Sequence, residues 1–530
     1  MPTPARPACL ITTAIPYVNA RPHVGFAMEL VLADALARFA RRRGRDVRLL
    51  TGTDENSLKN VRAAEAEGCA TAALVERNAA AFRALQGALG LSFDDFIRTS
   101  AEPRHRAGAA ALWRACAERG DIYRKAYRGR YCVGCEVFYQ DAELDAEGRC
   151  PEHGAVAELV EEENYFFRLS RYAAEIRDAL ASGALRVAPE HYRDELLALV
   201  DAGLEDFSVS RSAERARGWG IPVPGDPAQV MYVWFDALGN YITALDFAAR
   251  GPDFARYWLD SRERVHVIGK GITRFHAIYW PAILRSAGLP LPTAISVHGY
   301  LTVDGRKIGK SLGNAIDPAA LAERYGVDPL RWLLCRHVRS GRDADFSAAR
   351  LAAVNDGELA DQLGNLLHRT VAMIRRYYDG RVPAPAGDVG DGALGRAAAE
   401  IAAATEAAVD DLRIDEACAA AWSLVELANK HVVERAPWRL AKRRGEPAIE
   451  AALATTLYEL AAALRLAAVL LGPAIPRASA TILSRLGVDA DADADEPASW
   501  SELSRFDALA PGSAVVDGPP LFPKLGASAS

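Results

Sequence analysis

The sequence has little cysteine: eight in 530 residues, too sparse for a disulfide scaffold in a chain this large. Three of those cysteines cluster between positions 132 and 150. A long uninterrupted apolar run is also missing. The longest late stretch, "AAALRLAAVLL" (461–471), carries Arg465 and follows Glu459, so it reads as a bundle helix and not as a membrane span. Met1–Thr13 lacks the apolar core of a signal peptide, and its apolar residues read more simply as a first β-strand. A cytoplasmic protein without a membrane partner is therefore expected. Charge of one sign is scarce too, since 63 Lys and Arg face 69 Asp and Glu for a net −6. That balance argues against a generic nucleic-acid coat but leaves room for an acidic enzyme with a local basic groove. No internal repeat is evident, and only "PAPAGDVGDG" and the acidic "DADADADEP" (489–497) resemble linkers.

A chain of 530 residues exceeds what one compact core supports, so two to four units are expected. Its first ~115 residues alternate strand and helix: "CLITTAI", "FAMELVLADALARFARRR", "DVRLLTGTDEN", "LKNVRAAEAEG". That rhythm implies βαβ units and a parallel sheet with its ligand at the carboxyl ends of the strands. A Cys/His-rich segment interrupts the rhythm, which resumes at "VMYVWFDALGNYITAL" (230–245) and "RVHVIGKGITRFHAIYWPAIL" (264–284). From ~350 the pattern is helical. The fold class predicted is α/β, a split Rossmann-type parallel sheet with an insertion, followed by an all-α bundle.

In "AIPYVNARPHVGF" a strand should end at about Ile15 and a helix should begin near Gly25. A helix N-terminus offers unpaired N–H groups and partial positive charge, which suit a phosphate. Gly25 permits close backbone approach, and His23 can donate to a phosphate oxygen. Far downstream, "YLTVDGRKIGKSLGN" (300–314) sets Lys307 and Lys310 in a Gly-rich loop beside Ser311. Two lysines closing over a triphosphate would stabilise charge as pyrophosphate leaves. Each motif alone is an ordinary turn, but the pairing across a split sheet is specific. Cys132-x2-Cys135, fourteen residues, then Cys150-x2-His153 supplies four soft ligands on two tight turns. With no open coordination position, one structural zinc per chain is expected, a disulfide being the alternative reading. Ile272, His276 and Trp280 recur at i, i+4 and i+8, hence on one face of an α-helix, either a pocket wall or plain core.

Together these features resemble the class I aminoacyl-tRNA synthetases, and among them the methionyl-tRNA synthetases, over essentially the whole chain. "PHVGF" matches the HIGH motif and "KIGKS" (307–311) the KMSKS motif. The resemblance implies that His23, Lys307 and Lys310 serve catalysis, with Lys310 the main transition-state contact. It further implies an ATP site, used with magnesium, at Pro16, His23, Gly25, Phe26, Gly269, Lys307, Lys310 and Ser311. L-Methionine would contact Ile15, Tyr17, Asp54, Trp234, Ala237, Leu238, Tyr241, Ile272, His276 and Trp280, with Asp54 anchoring the ammonium group. Asn365, Arg369 and Trp438 match the positions that read the anticodon of tRNA(Met), and Arg211 matches one flanking the active site. Zinc at Cys132, Cys135, Cys150 and His153 would build a knuckle facing the tRNA acceptor end.

The domains expected on this basis are 1–115, the first half of the catalytic domain; 116–222, an insertion with the zinc knuckle; 223–298, the second half; 299–349, a lysine-loop region contacting the tRNA stem; and 350–530, the helical anticodon-binding domain. Because the chain ends soon after "PPLFPKLGAS", where the family's core ends, a monomer is expected. The chain departs from the family at Phe26 for the second His of HxGH, at Asn56 and Ser57 for His and Gly, and at Gly271 for an Asp associated with the nucleotide ribose. These departures are expected on the ATP side. Losing one His donor would cost about 1–3 kcal/mol, which weakens a site without abolishing it. Two rivals remain, an enzyme that makes an adenylate without charging tRNA and a non-catalytic tRNA-binding module.

Overall fold

A computed structural model describes residues 6–132, 137–139, 143–151, 154–308, 314–488 and 499–526, without the side chains of Tyr127, Val137, Phe138 and Lys307. Strand β1 (Ala8–Thr13) is buried after its first residue, as expected for a strand covered on both faces. Helix α1 (Val24–Arg42), strand β2 (Asp46–Thr53), helices α2 (Leu58–Glu67) and α3 (Thr71–Leu89), and strand β3 (Asp95–Arg98) complete the first βαβ units. Gly68 and Gly90 end α2 and α3 in the left-handed conformation that spares glycine a Cβ clash.

A long excursion follows helix α4 (Pro103–Glu118). Strands β4 (Ile122–Cys132), β5 (Val137–Tyr139) and β6 (Glu158–Phe167) form an antiparallel sheet with the later β8 (Phe207–Ser208). Between them run helix α5 (Ala173–Ser182), strand β7 (Arg186–Ala188) and helix α6 (Glu190–Asp201). Strands β9 (Ser210–Ser212), β10 (Pro222–Val223) and β11 (Asp226–Met231) make a second small antiparallel sheet, which leads to helix α7 (Val233–Thr243). After a short turn α8 (Pro252–Phe254), strand β12 (Glu263–Gly269), helix α9 (Trp280–Ser286) and strand β13 (Ala294–His298) return to the main sheet.

That sheet has six strands in the order β3-β2-β1-β12-β13-β7, every neighbouring pair parallel. Strands β1 and β12, over 250 residues apart in the chain, lie side by side with Cys9 opposite Glu263 and Thr13 opposite Val267. The strand order diverges between them, so the crevice beyond their carboxyl ends is the topological switch point. Edge strand β7 comes from inside the 116–222 segment, which is thus stitched into the sheet it interrupts.

Beyond β13, the hairpin β14 (Leu301–Val303) and β15 (Arg306–Lys307) turns at Asp304-Gly305, both at positive φ, with β16 (Ala344–Asp345) alongside. Helices α10 (Pro318–Tyr325) and α11 (Val327–Arg336) connect to an all-helical region: α12 (Ala348–Val354), a π-turn over Asn355–Gly364, α13 (Asn365–Tyr377), α14 (Ala393–Asp410), α15 (Ile414–Arg435), α16 (Pro437–Leu440), α17 (Pro447–Leu471) and α18 (Pro476–Arg485). Helix α17 is long and apolar enough to cross a membrane, yet it is mostly buried within the protein as the centre of this bundle. Its two internal charges are accommodated there: Glu459 meets His431 at 2.9 Å, and Arg465 donates to the Leu503 carbonyl at 2.9 Å.

The bundle and the sheet share one core. Met28, Leu36, Leu330, Trp332, Trp422 and Leu464 belong to a single apolar cluster, while α4, α7 and α9 close the sheet's other face around Trp258 and Trp280. Fully buried Arg331 fastens the two halves, pairing with Asp34 of α1 at 2.7 Å and donating to the Pro473 and Ala474 carbonyls after α17. Breaking such a buried pair would strand a charge, at a cost of about 3–5 kcal/mol.

Candidate active site

The phosphate side lies where β1 feeds α1. The strand stops at Thr13 and the helix begins at Val24, bracketing a linker in which Tyr17 bridges to Asp54 and Asp54 N–H donates to the Pro16 carbonyl at 2.9 Å. His23 is the N-cap of α1, its Nδ1 accepting from Gly25 N–H at 3.1 Å. An accepting Nδ1 puts the ring proton on Nε2, which leaves a donor beside the helix's own unpaired N–H groups. Burial pushes His23 down to about 4, so the ring is neutral near pH 7. A Cβ at Gly25 would stand 3.0 Å from that ring, so the glycine is what lets the cap close. Phe26 lies 4.3 Å from His23 and meets Phe82 edge-on at 5.6 Å. With Pro16, Phe82, Phe93 and Phe96 it lines a small apolar cleft.

The opposite side is aromatic and closed. Trp234 stacks on Phe275 with ring centres 3.8 Å apart and planes within 7°, and it meets His276 edge-on at 6.3 Å. Tyr241 lies 5.7 Å from His276 and 6.0 Å from Trp280. The Ile272 carbonyl, 2.9 Å from His276 Nδ1, can only accept, so Nδ1 carries the proton. His276 Nε2 must then accept from the Tyr241 hydroxyl at 2.7 Å. Burial holds His276 down to about 4 and Tyr241 far above the usual phenol range, with the Glu29 and Asp54 charges adding to the latter. The relay Tyr241 to His276 to Ile272 is therefore uncharged and directional. Ala237 and Leu238 are buried on α7, and Ile15 and Ile272 are half-buried against the same core.

Two sequence expectations are corrected here. Residues 270–286 are not one α-helix: a 3₁₀ turn (Lys270–Ile272), a π-turn (Phe275–Tyr279) and α9 follow one another, so α-periodicity does not set their facing. Ile272 reaches His276 through a hydrogen bond, and Trp280 shares Tyr241 with it. Asn56 and Ser57 do not face the phosphate helix. Asn56 Nδ2 donates to Asp236 of α7 at 3.1 Å, and Ser57 caps α2 by accepting from Lys59 N–H at 3.0 Å. Neighbouring Glu55 is fully buried, held by Arg98 at 2.7 Å and Thr53 at 2.8 Å, which fixes the strand end that presents Asp54.

At the end of β12, Gly269 and Gly271 flank Lys270, which pairs with Asp343 at 2.8 Å. A Cβ at Gly271 would stand 2.0 Å from the Tyr300 hydroxyl, so Tyr300 occupies the place of a side chain there. Lys307 sits in β15 opposite Thr302; its side chain, Lys310 and Ser311 lie outside the described residues. Arg211 is buried between the Tyr131 and Tyr232 rings, at 5.2 and 4.4 Å, and donates to Ser208 and to the Ser210 carbonyl.

Of the four expected metal ligands, Cys132 and Cys150 are described and Cys135 and His153 are not. Neither described cysteine is in a disulfide, and both are buried. Cys132 closes β4, and Gly154 N–H donates to the Cys150 carbonyl at 2.8 Å. Among the described residues no cluster of three or more metal-ligating side chains occurs. Two buried thiols nevertheless fit the donor chemistry of zinc.

Asn365 and Arg369 project from one exposed side of α13, and Trp438 of α16 is 41% exposed, which rules out a core role for that ring. Sequence reasoning missed Phe275, the stacking partner of Trp234, and His266, which meets Tyr241 at 4.2 Å and bonds Thr12 at 2.7 Å. Phe275 was signalled only by adjacency to His276. His266 alternates along β12 like any core residue and carried no signal.

The family model for class I tRNA synthetases (M) matches residues 9–158 and 153–371. A methionine–tRNA ligase from Brucella suis is 42% identical over 91% of this chain and 92% of its own length. A Thermotoga maritima methionine–tRNA ligase is 40% identical over 98% of this chain and 80% of its own. The solved Mycobacterium tuberculosis methionyl-tRNA synthetase in complex with methionyl-adenylate superposes with a TM-score of 0.91 at 40% identity, covering 98% of this chain and all of that one.

Proposed function

The chain belongs to the class I tRNA synthetases (M), and on that premise we propose that it is a methionine–tRNA ligase, activating L-methionine with ATP and charging tRNA(Met). The observation that carries this reading is the uncharged aromatic relay of Trp234, Tyr241 and His276 beside the β1/β12 crevice, whose other wall is the His23-capped end of α1. A neutral aromatic wall suits a thioether, and Asp54, held by the Pro16 carbonyl beside Tyr17, suits its ammonium group.

In this reading the methionine carboxylate attacks the α-phosphate of ATP, and pyrophosphate leaves. Class I synthetase activity uses ATP with magnesium, which shields the phosphate charge. His23 Nε2–H and the N-terminus of α1 donate to phosphate oxygens, and Lys307 and Lys310 meet the charge that builds on pyrophosphate. Pro16, Gly25 and Gly269 bring backbone close to the nucleotide, Ser311 adds a hydroxyl, and Phe26 supplies an apolar floor. No side chain becomes a covalent nucleophile. Cys132, Cys135, Cys150 and His153 would hold one zinc, whose binding helps to fold the tip of the β4–β5 hairpin. Asn365, Arg369 and Trp438, exposed on α13 and α16, suit hydrogen bonding and stacking to unpaired anticodon bases. The enzyme is read as monomeric and cytoplasmic.

The test is methionine-dependent ATP–pyrophosphate exchange, with charging of purified tRNA. Lys310→Ala should lower exchange about 10²–10³-fold. Wild-type exchange no faster than that of the variant would sink the proposal.

A further inference from the structure

A half-open cavity of about 700 Å³ lies where the start of α6, the segment after α11 and the start of α15 meet. None of its lining residues belongs to the crevice described above. His191 lies on the α6 side, Arg336 ends α11 with Arg339 and Arg342 after it, and Arg350 of α12 and the first turn of α15 complete the ring. Its acids are already engaged: Asp415 accepts from the Ser340 hydroxyl at 2.5 Å, and Glu416 pairs with Arg413 at 2.8 Å. Arg336, Arg339 and Arg342 form no ion pair with a described residue, and Arg336 Nε is buried without a hydrogen-bond partner. The Arg350 guanidinium donates to the backbone carbonyls of Asp345 and His337, each at 3.2 Å. The surplus is a set of guanidinium groups, planar forks whose geometry matches phosphate oxygens.

Shape and size choose among anions. The cavity has the volume of a small-molecule site, and its arginines line one concave space from several sides, which suits a compact ligand. One guanidinium fork takes two oxygens of a phosphate, so this many arginines exceed what a single phosphate occupies. A short chain of linked phosphates uses them all.

The cavity is also joined to the nucleotide wall through backbone. The Tyr192 hydroxyl donates to the Gly341 carbonyl at 2.8 Å. A Cβ at Gly299 would stand 2.2 Å from the Arg342 carbonyl, so the backbone at Arg342 lies directly against the residue before Tyr300. Asp343 then accepts from Tyr300 N–H and pairs with Lys270, both at 2.8 Å. Arg342 therefore has its side chain at the cavity and its backbone against the nucleotide wall. A ligand that draws Arg339 and Arg342 inward pulls on the segment that holds Lys270 and Tyr300.

We propose that this cavity is a regulatory site for a short polyphosphate chain, free or carried on a nucleoside, whose binding loosens the nucleotide wall and slows activation. The regulation rests on the ATP-dependent activation proposed above; the binding does not.

The experiment titrates the full-length enzyme with inorganic tripolyphosphate and separately with GTP, by calorimetry and by methionine-dependent ATP–pyrophosphate exchange at constant free magnesium. Tripolyphosphate should bind one site per chain and lower exchange at least about fivefold, a fall that excess ATP does not reverse. Arg339→Glu/Arg342→Glu should weaken that binding at least about tenfold and abolish the fall, with exchange little changed when no probe is present. Arg339→Lys/Arg342→Lys, which keeps the charge and loses the forks, should bind more weakly than the parent and more tightly than the Glu variant. Tighter binding of GTP than of tripolyphosphate marks a nucleotide as the source, and equal binding marks the chain alone. Inhibition that ATP reverses, binding undiminished in the Glu variant, or no binding at millimolar probe would overturn the proposal. Binding that the Glu variant loses, in a parent enzyme without methionine-dependent exchange, would uphold the site and refute the function its regulation rests on.

Discussion

The two walls of the crevice are built on different plans. The amino-acid wall is core: Tyr241, His276 and Trp280 are almost wholly buried, and Trp234 is pinned by Phe275. The nucleotide wall is made of element ends: the cap at His23, the glycine turn of 269–271 and the β14–β15 hairpin. A buried aromatic wall is preorganised, because moving one ring costs the packing of its neighbours. A wall of helix caps and turns stays open to large polar ligands and tolerates substitution.

The largest expected effect attacks the buried wall. His276→Ala leaves the Tyr241 hydroxyl without its acceptor in an apolar site, a loss of about 2–3 kcal/mol. The KM for methionine should rise roughly 30–150-fold with that for ATP within twofold, measured by pyrophosphate exchange. Parallel rises in both constants would break the distinction between the walls.

A smaller effect is expected at the glycine turn. Gly271→Asp must push the Tyr300 hydroxyl aside and should raise the KM for ATP about tenfold while sparing that for methionine. Adding Tyr300→Ala to the same chain should recover most of the loss. If Gly271→Asp alone is silent, Tyr300 does not occupy that place in solution.

The mildest effect near neutrality is on stability. His105, His266 and His276, all around the aromatic wall, are held neutral by burial, at about 3, well below the ordinary value and about 4 respectively. The unfolded chain takes up these protons below about pH 6.5 while the folded protein does not. Stability should therefore be flat above pH 6.5 and fall as pH drops toward 4, by up to about 1.4 kcal/mol per unit for each group. Urea midpoints between pH 7.5 and 4.5 would measure it, and a His105→Gln variant should show the shallower slope.

Much of the nucleotide wall was legible, because its chemistry is local. "PHVG" places a cap and the N–H that donates to it two residues apart, and "VDGR" names its own turn. Phe26 resisted interpretation, since its neighbours Phe82, Phe93 and Phe96 come from α3, the loop after it and β3. Through them Phe26 serves the apolar packing beneath the cap. On the aromatic wall, helical spacing suggested a shared face for Ile272, His276 and Trp280, but a π-turn reset that spacing. Asn56 likewise looked like a loss on the ATP side until its partner proved to be Asp236, 180 residues away.

Sequence alone determined the alternation of strand and helix, a helix that begins near Gly25 and the helical region after about residue 350, since each depends on groups only a few residues apart. Tertiary structure alone decided that β1 lies beside β12, that Tyr241 meets His276, and that arginines from three elements share one cavity. Those contacts join residues tens to hundreds of positions apart, and only burial in a common core selects them from the many pairings that local chemistry allows.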